Sequence, residues 1–221
     1  MTSTLAIVGP SGSGKTRVAV ALVERLRARG HRVAAVKHSP HGHQVDRPAS
    51  DSSRLFAAGA DKVIVSSPGQ STAIERTQGD ASLEEVVATL DPSYDLVIAE
   101  GFKGSTVPKV LVVGGEVLSP APGNVIAVVG AGETGAQVPC YSFEELDRLA
   151  DQVEKDLLEK AGESQAISLV VDGRPVPLGP FAASALAGVV HGFLSSLKGV
   201  PASPRWVRLG LGPDKPKARH L

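Results

Sequence analysis

Short apolar runs alternate along this chain with longer stretches in which apolar residues recur every three or four positions. The runs lie at 5–8, 33–36, 63–65, 96–99, 110–113 and 125–129. They are rich in Val and Ile and lack strict alternation with polar residues, the pattern of strands covered on both faces. Between them, residues 15–29 carry Val18, Leu22, Val23 and Leu26 at helical spacing, with Gly30 as a stop. Residues 52–58 and 83–90 form shorter helical patterns, and 144–160 sets Leu146, Leu149, Val153 and Leu157 on one side. Strands alternating with helices predict an α/β layered fold with a largely parallel sheet.

The pattern changes near residues 162–165. Ile167 to Val171 and Arg174 to Leu178 are extended runs on either side of Asp172-Gly173, a strong hairpin signal. A helix over 181–197 follows, with Phe181, Leu186, Val189, Val190, Phe193, Leu194 and Leu197 as its apolar set, and 206–209 suggests another strand. The chain thus divides into a main domain, 1–162, and a small ββαβ appendage, 165–221. The appendage helix is apolar over a wide arc and reads as a core helix that needs a cover. Its own hairpin, the main domain or a second copy of the chain would each serve. The polar residues 214–221 are expected to fray.

Composition narrows the function classes. At 221 residues the chain can bury one good core. Lys plus Arg and Asp plus Glu each total 23, with no long run of either sign, which argues against nucleic acid or a membrane surface as the main partner. Cys140 is the only cysteine, so one chain has neither an internal disulfide nor a cysteine metal cluster, as suits a reducing cytoplasm. The chain enters a strand almost at once, without a signal-like segment, and 181–197 is short for a membrane span.

The chemistry concentrates at three places. Gly9-Pro10-Ser11-Gly12-Ser13-Gly14-Lys15-Thr16 lies between a strand and a helix and fits the phosphate-loop pattern. Its glycines let backbone N–H groups converge on phosphate oxygens, and the helix N-terminus adds positive potential. These residues and Arg17 form the nucleotide-binding set. Lys15 would act on the β- and γ-phosphates, and the Thr16 hydroxyl would ligate Mg²⁺. Secondly, Glu100 ends the run Leu96-Val97-Ile98-Ala99, at the sheet edge where ligands gather, and is the candidate metal carboxylate and catalytic acidic group. Gly101 lets the chain turn away.

The third place is the polar loop Lys37-His38-Ser39-Pro40-His41-Gly42-His43-Gln44-Val45-Asp46, with Asp51-Ser52 beyond it. His38, His41, His43, Asp46 and Asp51 are of ligand types that transition metals accept, but their spacing matches no zinc pattern. The loop could equally order around a nucleotide or meet a partner. Asp46 is the candidate for a water-mediated Mg²⁺ contact, and Asp51-Ser52 is alternatively a helix N-cap. Lys37, His38, His41, Asp51, Lys103 and Lys109 are candidates for substrate or partner contact. Lys103 and Lys109 fit either phosphate contact or simple solvation of a loop. No Asn-Lys-x-Asp segment reads guanine, so the motifs leave the base undetermined. Arg47, Arg54 and Arg76 are arginine-finger candidates only by nearness in sequence, and fast hydrolysis is not expected.

Together these segments resemble the molybdopterin-guanine dinucleotide biosynthesis protein B family. The matching residues are Gly9 to Thr16; Lys37-His38 with His41 and Asp46; Asp51-Ser52 with Arg54; Ala58-Gly59-Ala60; Glu100-Gly101-Phe102-Lys103; and Pro108-Lys109. They cover roughly residues 4–160. Pro40 stands where the family pattern has another histidine, and Ala49-Ser50 replaces a Gly-Lys. The appendage is similar to extensions on some members. The resemblance implies a P-loop nucleotide-binding fold, GTP with Mg²⁺, slow hydrolysis and a homodimer. It also implies a partner guanylyltransferase that attaches GMP to molybdopterin. A small-molecule kinase and a metallochaperone GTPase using the histidine loop are the alternatives.

Overall fold

The computed structural model describes residues 2–40, 42, 47–114, 122–130, 137–159, 167, 169–171, 174–201 and 207. Six strands form the main sheet: β1 (Ser3–Val8), β2 (Val33–Lys37), β5 (Leu96–Glu100), β6 (Lys109–Val112), β7 (Val125–Val129) and β8 (Cys140–Tyr141), in the order β2-β5-β1-β6-β7-β8. Every pairing in it is parallel. The predicted α/β layering is therefore the observed one. The four central strands are almost wholly buried, which explains their unbroken Val and Ile runs.

Helix α1 (Lys15–Ala28) buries Val18, Ala21, Leu22 and Leu26, and α4 (Leu146–Val153) buries Leu146, Leu149, Ala150 and Val153. Both pack on one face of the sheet with Leu5, Ile7, Leu96 and Ile98 in a single core. Charges tie the two helices along their outer rim. Arg25 donates to both oxygens of Asp147, at 2.6 and 3.2 Å, and Arg29 donates to Asp151 and Glu154. The Arg25 guanidinium holds the Asp147 carboxyl below its usual range. Each pair is solvent-accessible and so contributes little singly. Beyond α4 the chain continues as a π-helix over Glu154–Glu159, and Ser3 Oγ donates to the Leu157 carbonyl there.

Three expectations are corrected. The run at 63–65 does not join the main sheet. It lies in β3 (Lys62–Ser67), which pairs antiparallel with β4 (Gln70–Glu75) as a separate hairpin. Only Val63 of that run is buried, because one thin hairpin cannot cover both its faces. The connection is Pro68-Gly69 with Gly69 at φ 77°, as a type II turn requires. The cap of α2 (Asp51–Ala57) is Ser50, whose Oγ accepts from the Ser53 N–H at 3.1 Å. Asp51 occupies the first turn with a fully exposed side chain, so it is not the cap.

The third correction concerns the appendage. Strands β9 (Leu169–Val171) and β10 (Arg174–Val176) pair antiparallel, and α5 (Pro180–Ser195) follows. The Asp172-Gly173 turn, most of the 206–209 run and the 214–221 tail lie outside the described residues. α5 is not a core helix. Ala187 alone is buried on it, while Phe181, Val189 and Phe193 are 87%, 70% and 56% exposed. Periodicity specifies an apolar face but not the surface that covers it. Among the described residues no helix is long and apolar enough to cross a membrane.

Candidate functional site

Sheet register assembles the site. β5 lies between β1 and β2, so Glu100 stands opposite Ile7 on one side and Lys37 on the other. Ile7 is two residues before Gly9, so the carboxylate arrives at the mouth of the phosphate loop without any sequence proximity. Thr16 Oγ1 donates to Glu100 Oε2 at 2.8 Å, and Lys37 Nζ lies 3.2 Å from Glu100 Oε1. Lys15 Nζ arches over its own loop and donates to the carbonyls of Gly9 and Pro10 at 3.0 and 2.5 Å. An ammonium, a hydroxyl and a carboxylate thus meet at the N-terminus of α1.

The loop is held by close backbone packing. A methyl group on Gly9 would overlap the Val112 carbonyl oxygen and lie 2.8 Å from Ser13 Oγ. Gly12 and Gly14 have φ of 74° and 97°, a region that suits glycine. Ser13 is buried, and its hydroxyl has no hydrogen-bond partner among the described residues. An orphaned hydroxyl within such a loop fits a cradle for an oxyanion. Thr16 and Glu100 supply hard oxygen donors 2.8 Å apart, which fits Mg²⁺.

Behind Glu100 the chain reverses through two residues of positive φ, Gly101 at 100° and Phe102 at 56°. For Phe102 this conformation costs on the order of 1–3 kcal/mol. It brings the Phe102 ring to 4.8 Å from the His38 imidazole, and Gly101 backs onto His38 so closely that a methyl there would sit 3.0 Å from its Cβ. His38 Nε2 is 2.9 Å from both carboxylate oxygens of Asp80. The loops after β2 and β5 and the turn before α3 (Leu83–Ala88) are therefore joined at one point.

The structure brings together Lys15, Thr16, Lys37 and Glu100, with His38 beside them. His41, His43 and Asp46 lie outside the described residues. Among the described residues no group of three or more His, Cys, Asp or Glu side chains could hold a metal. Lys103 is exposed in the turn after Glu100. Arg76 is committed elsewhere: Nε donates to the Ala60 carbonyl at 3.2 Å, Nη2 donates to the Phe56 carbonyl, and the guanidinium stacks on Phe56. It fastens the β3–β4 hairpin to α2.

Lys109 is a correction. It neither solvates a loop nor offers an exposed cation. Its side chain is fully buried, and Nζ donates to the carbonyls of Ser105 and Val107 at 2.5 and 3.0 Å. The lysine pins the loop after Glu100 from beneath. Burial lowers its pKa from the ordinary 10.5. The folded state therefore sheds this proton before the unfolded state does, and stability rises with pH between the lowered value and 10.5. Lys109→Met lacks the group, so its melting temperature should fall behind wild type as pH climbs through that window; parallel melting curves would refute this.

Sequence reasoning missed Asp80 and Phe143. Asp80 stands in a polar turn ahead of the Ser82–Glu85 capping box, and nothing there points to His38. Phe143 is pressed against Gly14, and Arg17 lies over its ring at 4.7 Å. Its only signal is scarcity, since the chain has five Phe residues.

A parallel sheet, a glycine-rich loop closing on a helix N-terminus and an acidic strand end beside it define a P-loop-type α/β protein. The model of the molybdopterin guanine dinucleotide synthesis protein B family, MobB, matches residues 4–131. The chain belongs to that family, whose role lies in molybdopterin guanine dinucleotide biosynthesis. It is 39% identical over 119 residues to a molybdopterin-guanine dinucleotide biosynthesis adapter protein of Haemophilus influenzae, covering 53% of this chain and 67% of that one. The adapter protein of Escherichia coli K12 is 36% identical over 110 residues, 48% of this chain and 63% of that one. The matched stretch thus spans about two thirds of these relatives. A solved molybdopterin-guanine biosynthesis protein B superposes with a TM-score of 0.57 at 28% identity, over 70% of this chain and 99% of its own.

Proposed function

We propose that this chain binds GTP with Mg²⁺ at residues 9–17 and serves molybdopterin guanine dinucleotide biosynthesis as a slowly hydrolysing adapter in the cytoplasm. It would assist a guanylyltransferase that acts on molybdopterin, working as a homodimer. The observation that carries this reading is the 2.8 Å contact between the Thr16 hydroxyl and the Glu100 carboxylate, with Lys15 over the same loop. Bound Mg²⁺ would neutralise phosphate charge; Thr16 and Glu100 would hold it. Lys15 would leave its two loop carbonyls for phosphate oxygens, and Lys37 would remain to orient Glu100.

The segments 37–52 and 101–109 are the parts expected to respond. Segment 37–52 begins with the Lys37–Glu100 and His38–Asp80 contacts, while 101–109 follows Glu100 directly and meets His38 through the Phe102 ring, so a ligand that reorganises Glu100 would reach both.

The test is calorimetric titration with GTP and with ATP, each with Mg²⁺, followed by limited proteolysis and turnover. GTP is expected to bind in preference and to protect 37–52 or 101–109 from protease. Glu100→Gln is expected to cut Mg²⁺-dependent hydrolysis about 10²-fold while it leaves the fold intact. Equal or tighter binding of ATP overturns the GTP assignment. Hydrolysis by Glu100→Gln at the wild-type rate means that another carboxylate holds the metal.

A further inference from the structure

The sheet order places Glu100 on one side of β1 and the strand end that carries Phe143 on the other. On that second side, α1 and the start of α4 flank a cleft of about 360 Å³ lined by Thr16, Arg17, Val20, Glu24, Phe143 and Leu146. It begins where the phosphate loop ends, since Thr16 belongs to both. The half-buried Phe143 ring sits against Gly14, where a methyl group would meet ring carbons at 2.8 and 2.9 Å. The Arg17 guanidinium lies over the ring, 4.7 Å from its centre. Glu24 is exposed two helical turns further along α1, about 12 Å from Thr16 by helix rise.

A nucleotide whose phosphates occupy the loop must place its sugar and base somewhere beside it. We propose that this cleft seats the nucleoside: the base stacks on the layer formed by Arg17 and Phe143, and the Glu24 carboxylate accepts hydrogen bonds from the base edge. The inference rests on the nucleotide-binding reading above and adds to it the residues that choose the base. Aromatic rings and guanidinium planes both stack on bases without regard to sequence, so the platform serves any purine. The carboxylate discriminates. Guanine presents two adjacent donors, its ring N1–H and its exocyclic amine, to a two-oxygen acceptor. Adenine presents a bare ring nitrogen at the corresponding position, which an anionic acceptor repels. This supplies guanine selection to a chain that lacks the Asn-Lys-x-Asp segment.

The experiment titrates the full chain with GTP, ATP and inorganic tripolyphosphate, each with Mg²⁺. Tripolyphosphate reads the loop alone. Phe143→Ala should weaken both nucleotides about tenfold and leave tripolyphosphate unchanged. Glu24→Gln should weaken GTP about tenfold and leave ATP unchanged. Phe143→Leu keeps apolar bulk against Gly14 and should repeat the Phe143→Ala result if that variant misfolds. Equal weakening of all three ligands by Phe143→Leu would mean that the ring only shapes the loop, and would overturn the cleft. Unchanged GTP affinity in either Phe143 variant would overturn it also. Unchanged GTP affinity in Glu24→Gln removes the base-edge contact. Wild type that binds tripolyphosphate as tightly as GTP overturns the cleft but not the loop, whereas wild type that binds none of the three overturns the nucleotide reading itself.

Discussion

Replacing Gly9 by alanine is expected to destabilise the fold by about 3 kcal/mol, the upper end of the usual cost of overpacking. The added methyl would overlap the Val112 carbonyl oxygen. That oxygen belongs to β6, a fully buried strand paired with β1 and β7, so it cannot turn aside as a flexible side chain would. The second neighbour, Ser13 Oγ, is inside the same loop, and pushing it away distorts the backbone that would hold phosphate. For a domain of this length the loss corresponds to roughly 6–12 °C in melting temperature. Thermal unfolding, read with triphosphate affinity on the same sample, checks both consequences. Melting within a degree or two of wild type would show that β6 is free to move. Gly12→Ala is a useful contrast, because a methyl there has no neighbour within 4 Å and meets only the strain of a φ of 74°.

Lys15→Ala is expected to behave in the opposite way, with little change in stability and a loss of triphosphate affinity of about 100-fold. In the folded chain Lys15 contacts two carbonyls of its own loop, part-buried, and water can replace those bonds. Its ammonium, however, is the only lysine of the loop that can meet the β- and γ-phosphates. Charge-assisted hydrogen bonds are worth about 1.5–3 kcal/mol each, so the loss of one strong contact or two weaker ones gives the stated factor. Calorimetry with GTP, against a thermal melt of the same protein, separates the two effects. Affinity within threefold of wild type would remove Lys15 from the phosphate site, and a large drop in melting temperature would make it structural.

Gly9 and Lys15 also show how the sequence conveys this protein. The phosphate loop was legible because strand, glycines and helix are contiguous, and local geometry alone fixes what Gly9 to Thr16 can do. The central strands were legible because burial on both faces leaves a continuous apolar run, as in Leu96-Val97-Ile98-Ala99. Glu100 was found for the same reason, as a carboxylate at the end of such a run.

What tertiary structure alone decided is every relation between distant segments. The Thr16–Glu100 contact spans 84 residues and depends on β5 inserting beside β1, a pairing that no periodicity encodes. His38 meets Asp80 across 42 residues, and the reversal at Gly101-Phe102 sets the Phe102 ring against the same imidazole. Lys109 is polar by type yet wholly buried, since two backbone carbonyls await it beneath the loop. The run at 63–65 went to a lone hairpin and α5 stayed exposed, because an apolar pattern states that a face seeks cover, while strand order and packing decide whether it finds any. The sequence by itself determined the fold class, the phosphate loop and the family; the fold decided which distant side chains share that loop, because their distances are set by sheet register rather than by position along the chain.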